Sequence, residues 1–78
     1  MLTIVERRVS TDERAAYLAG LAPRRLEAAA VRAHFWVFEH HEEPGRFVEF
    51  TEAGSVAEIA SVHDGEVPAP YWREVQGI

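Results

Sequence analysis

The chain contains no cysteine, which excludes disulfides, thiolate metal sites and thiol nucleophiles. Its eight basic residues are all arginine, so no lysine is present to form a Schiff base. Asparagine is missing too. The five glycines never fall into the GxGxxG or GxxxxGK spacing of a phosphate-cradling loop. No apolar run approaches the roughly 18 residues that span a bilayer, so no membrane partner is expected. Basic charge is in deficit: the net charge is −5, which argues against nucleic acid, where phosphate neutralisation supplies most of the affinity. The opening MLTIVERR places its charges after its apolar stretch. This is the reverse of a secretory signal, and a cytoplasmic location is expected.

What remains is a globular composition, 47% hydrophobic over 78 residues, enough for a single domain over 1–78. A chain of this size buries roughly 60–65% of its unfolded surface. Domains with so lean a core often lean on a metal or a partner subunit when disulfides are unavailable.

The β-branched stretch 2–9 reads as a first strand. Ser10 and Glu13 fit a capping box, with the hydroxyl accepting from the Glu13 amide and the carboxylate reaching back to Ser10. A helix follows, with Tyr17, Leu18 and Leu21 on one stripe. Pro23 must kink or break it, since proline lacks an N–H and clashes with the carbonyl four residues back. The helix then resumes through Leu26, Ala29 and Ala30. Residues 33–41 and 46–52 read as strands joined through the turn Glu42-Glu43-Pro44-Gly45. Ser55 caps a short helix to about His63 with Val56 and Ile59 inward, and Asp64-Gly65 ends it. Pro68-Ala69-Pro70 is a stiff linker before a last strand at Tyr71–Val75. The order predicts an α+β, ferredoxin-like βαββαβ fold: a four-stranded antiparallel sheet with the helices on one face.

With a four-residue loop flanked by His41 and Arg46, Phe38 opposes Glu49 and Trp36 opposes Thr51. Alternation then puts His34, Trp36, Phe38, His40, Phe47, Glu49 and Thr51 on one face. Phe35, Val37, Glu39, Val48 and Phe50 lie on the other. The second, more aliphatic set suits the space under the helices. The first would leave three aromatic rings bare. Each ring is worth roughly 150–250 Å² of buried surface, and at about 25 cal/mol per Å² the wet rings forgo several kcal/mol. That is comparable to the whole stability of a small domain. A homodimer through the helix-free sheet face is the expected cover.

On Glu43-Pro44-Gly45-Arg46-Phe47-Val48-Glu49-Phe50, followed by a short helix closed by His63, the chain resembles the dimeric α/β barrel superfamily. Within it, the chain is most similar to small antibiotic-biosynthesis-monooxygenase-like domains. The resemblance covers about residues 2–63. It implies the dimeric barrel, and with it a His63 at a pocket mouth. The chain departs from the pattern where Phe50 stands in place of a strand tryptophan, where Glu58 stands in place of a helix histidine, and where the pocket asparagine is wanting.

The candidate ligand-binding residues are His34, Trp36, His40 and Glu49 on the expected inner wall, His63 at a helix end, and Tyr71 and Trp72 after the linker. Neutral histidine can act as a general base near pH 7, and a mixed polar and aromatic wall can line a ligand pocket. A cation at position 63 would also suit the helix C-terminus. Tyr71 and Trp72 equally suit core closure or exchange of the last strand with a partner. No metal is expected: His40 and His41 are adjacent on a strand and point to opposite faces, and His34 with His40 supply only part of a ligand set. No cofactor is expected, and no catalytic residue is assigned. The expected role is a small-molecule-binding or assembly module. The alternative, implied by the resemblance, is a cofactor-independent monooxygenase-like enzyme. It would act on a small aromatic or polyketide-like substrate, with His40, Glu49 or His63 assisting proton transfer.

Overall fold

The computed structural model describes residues 1–68 and 70–78. Strand β1 spans Leu2–Arg8, helix α1 Arg14–Gly20, helix α2 Ala22–Ala30, strand β2 His34–Glu39, strand β3 Arg46–Glu52, helix α3 Val56–Val62 and strand β4 Tyr71–Trp72. The four strands form one antiparallel sheet in the order β2-β3-β1-β4. This α+β arrangement is compatible with a ferredoxin-like fold. The middle of the linker expected at Pro68-Ala69-Pro70 lies outside the described residues.

Local chemistry sets most element ends. Pro23 stands in the first turn of α2, where a missing N–H costs nothing, and the chain breaks at Leu21 between the two helices. The expected capping box forms differently. Ser10 Oγ donates to the Glu13 carboxylate at 2.9 Å, and residues Thr11–Glu13 take a 3-10 turn instead of a capped α-helical start. Around α3 the cap is the expected one, with Ser55 Oγ accepting from the Glu58 amide. Ile59 and Val62 are the residues α3 buries, whereas Val56 in its first turn stays exposed. Strand β4 is shorter than expected because its register pairs Trp72 with Leu2, so residues beyond it run past the start of β1.

The β2–β3 connection corrects the expected register. Trp36 opposes Phe50 and Phe38 opposes Val48, one position away from the pairing expected for a four-residue loop. The cause is His40. Its Nδ1 accepts from the amides of Glu42 and Glu43, both at 3.1 Å, while its own N–H donates to the Arg46 carbonyl. The chain therefore leaves the ladder after His40, and His41 joins the loop. The far side is held by Glu39, whose carboxylate accepts from the Gly45 amide and from Arg14. Gly45 has φ +85° and packs on Val9, whose amide donates to the Gly45 carbonyl at 2.8 Å.

The added loop residue reverses the facing of β3. Phe47, Glu49 and Thr51 lie under the helices and are buried, joining Phe35. Val48 and Phe50 turn to the open face beside Trp36 and Phe38. The core beneath the helices gathers Leu21, Ala28, Phe35 and Val62, with Tyr17, Leu18 and Val37 packed against it.

Two outcomes test this account of the hairpin. A Cβ on residue 45 would sit 2.2 Å from the Val9 carbonyl oxygen in a left-handed conformation. Gly45→Ala is therefore expected to cost at least about 2 kcal/mol in urea unfolding. The bonds from Arg14 and then from the Gly45 amide hold the Glu39 carboxyl down at about 2. A carboxyl depressed in the folded state stabilises it above the ordinary carboxylate range, and that contribution fades as pH falls toward 2. A carboxyl-carbon NMR titration should find Glu39 ionising well below the ordinary carboxylate range.

Candidate functional site

The seven candidate residues do not form one site. The sheet divides them between its two faces.

Glu49 and His63 lie beneath the helices, correcting the expectation that Glu49 shares a wall with Trp36 and His40. Glu49 is 1% exposed. Tyr17 Oη donates to its Oε2 at 2.6 Å, Arg24 Nη1 donates to its Oε1 at 3.3 Å, and Arg7 Nε stands 3.5 Å from Oε2. Strands β1 and β3 and helices α1 and α2 thus converge on one carboxylate. Burial, and then the bond to Glu49, push the Tyr17 hydroxyl well above the usual phenol range, so Tyr17 serves as a donor and not as a base. His63 follows the last turn of α3. Its Nε2 shares a 2.7 Å hydrogen bond with Thr51 Oγ1, and its ring meets Phe35 edge-on. Burial pushes its pKa down, with Arg24 adding to the effect, which overrides the preference of a helix end for a cation. Beside it, Thr3 pairs with Thr51 across the sheet. Thr3 Oγ1 is buried and has no hydrogen-bond partner among the described residues.

The open face carries His34, Trp36, His40 and Trp72. His34 and Trp36 stack at 5.2 Å between ring centroids with planes 5° apart, and Phe38 meets Phe50 edge-on at 5.7 Å. Trp36, Phe38 and Trp72 remain 47%, 55% and 55% exposed. Ile4, Phe38, Val48 and Trp72 line a groove of about 590 Å³, with Glu6 and Arg46 at its edge. His40 also borders this groove, but its Nδ1 is engaged by the turn. Arg46 is likewise engaged, at 3.0 Å from Glu43 and 3.4 Å from Glu6, which leaves the groove without a strong anion claim. Tyr71 is half-exposed on the edge strand, opposite Thr3.

Among the described residues, no group of three or more His, Asp or Glu is placed to hold a metal ion, and no helix is long and apolar enough to cross a membrane. Sequence reading passed over Tyr17, Arg24, Arg7 and Thr51 as partners of the two buried polar candidates. Their contacts join residues far apart in the chain, and no local spacing announces them. It also placed Val48 and Phe50 on the wrong face, for the register reason given above.

The buried cluster predicts two substitutions of opposite sign. Glu49→Ala leaves Tyr17, Arg24 and half-exposed Arg7 without their shared acceptor and is expected to cost about 2–4 kcal/mol. Thr3→Val removes an unpaired buried hydroxyl while keeping the shape, and is expected to stabilise by about 1 kcal/mol. Urea unfolding reads both. None of the family models, curated proteins or solved structures compared with the chain matches it.

Proposed function

We propose that the chain acts as a homodimeric ligand-binding or assembly module in which two copies pack helix-free face against helix-free face, as in a dimeric α/β barrel. The observation that carries this reading is the composition of that face. Leu2, Ile4, Trp36, Phe38, Val48, Phe50 and Trp72 lie on it, and its three largest rings stand about half in water. With Glu49 and Thr51 turned away, the face is more apolar than the sequence alone suggests. An apolar surface of this kind, with charged groups such as Glu6, Glu52 and Arg46 among and around it, has the make-up of an interface with a polar rim. A second copy offers a matching face by symmetry, and a stable pair needs only about 800 Å² from each partner. Concave where Phe38 and Trp72 flank Ile4 and Val48, the paired faces would enclose a small apolar ligand site.

The catalytic alternative fares less well. The groups it would use lie apart: Glu49 and His63 sit beneath the helices, where Glu49 is taken up by Tyr17, Arg24 and Arg7, while His40 serves the turn. His34, on the open face, stacks on Trp36 at the surface with its Nε2 3.9 Å from Glu52 Oε1. A non-catalytic module asks nothing of these groups.

Sedimentation at micromolar concentration is expected to give twice the 8.8 kDa chain mass. Both tryptophans lie on the open face, so their emission should shift to the blue as concentration rises. Phe38→Glu, at a position already half exposed in one copy, should leave the monomer folded and abolish both effects. A wild-type protein that stays at 8.8 kDa, with unchanged emission, contradicts the reading.

A further inference from the structure

We propose that His63 is an acid-operated latch for α3, holding the helix on the sheet while the imidazole is neutral and loosening it when the ring gains a proton. The helix packs on α2 and β3, with Val62 in the core beside Leu21, Ala28 and Phe35. It is seven residues long, it buries Ile59 and Val62, and beyond its last turn the polar tie to the sheet is the 2.7 Å contact of His63 Nε2 with Thr51 Oγ1 on β3. A helix this short is marginal without tertiary packing.

The surroundings of the ring decide which protonation state fits. The edge contact with Phe35 from β2 and an exposure of 8% deny it water. From α2 comes Arg24 and from β1 Arg7, both cations. Glu49 of β3 and Asp64, next in the chain, offer negative charge. Glu49 already serves Tyr17, Arg24 and Arg7, so most of its charge is spent. Asp64 is exposed and sits at φ +56° in the turn that ends α3. A third positive charge beside Arg24 and Arg7 is therefore poorly compensated in the docked state and well solvated once α3 lifts. Burial pushes the imidazole below its ordinary value in the same direction.

The sign follows from linkage. The undocked state binds a proton more readily than the docked one. Docking is therefore complete above the ordinary histidine value of about 6.5, and it weakens as pH falls from there toward the depressed folded value.

Hydrogen exchange across pH 5 to 8, corrected for intrinsic rates, tests the latch on the full chain. Amides of Ile59–Val62 are expected to open several-fold more readily at the acid end, while amides of β1 and β3 change little. His63→Gln, which keeps a hydrogen-bonding group for Thr51 and cannot become a cation, should remove that pH dependence. In the wild-type chain, the ring C–H resonance of His63 should titrate below the ordinary histidine value of about 6.5, a readout that needs no variant to fold. Protection of α3 that is flat with pH, a pH dependence that survives His63→Gln, or a His63 titration at or above the ordinary histidine value overturns the proposal.

Discussion

The arrangement of this molecule depends on the length of one connection. His40 folds back on the chain that follows, accepting at Nδ1 from two consecutive amides. Five residues, His41–Gly45, then separate the last bonded pair of β2 and β3. Side chains alternate along a strand, so a loop one residue shorter would exchange every inward and outward residue of β3. Glu49 and Thr51 would lie in the open, and Val48 and Phe50 would be pressed against the helices. The observed count is locked from the other side as well, by Glu39 holding the Gly45 amide and by the close approach of Gly45 to Val9.

That choice separates the chain's polar chemistry from its aromatic surface. Beneath the helices, a single carboxylate gathers a phenol and two guanidiniums, and a histidine leans on a threonine. These groups come from α1, α2, β1, β3 and the end of α3, and each is partly or fully withdrawn from water. Cross-element hydrogen bonds of this kind fix how the helices lie on the sheet more than they add to net stability, because burying charge is itself expensive. The other face gathers Leu2, Ile4, Trp36, Phe38, Val48, Phe50 and Trp72, with charged groups such as Glu6, Arg46 and Glu52 among and around them.

The strand and helix positions were largely legible in the sequence. The β-branched and aromatic runs, the proline at the helix break, the serine cap before α3 and the glycine turn each have a local cause, and each element appears within a residue or two of where that cause puts it. The exception is β4, which is cut short by where its partner strand begins. The facing of β2 was legible too, since Phe35 and Val37 do lie beneath the helices while Trp36 and Phe38 do not. The facing of β3 was not. It turns on whether His41 belongs to strand or loop, and a histidine side chain bonding the backbone ahead of it decides that. The candidate site failed for the same reason. His40 and Glu49 look like neighbours only in the wrong register. The true partners of Glu49, at positions 7, 17 and 24, are linked by the tertiary fold and by no spacing along the chain.

Backbone contacts across β2 and β3 test the register most directly. His40 bonds Arg46, so its alternate neighbours Val37–Glu49 and Phe35–Thr51 are the non-hydrogen-bonded pairs, in which opposing α-protons come closest. An NMR spectrum of the labelled chain should therefore show strong α-proton contacts between Val37 and Glu49 and between Phe35 and Thr51. Contacts linking Phe38 to Glu49 and Trp36 to Thr51 instead would place Glu49 on the aromatic face and contradict the account.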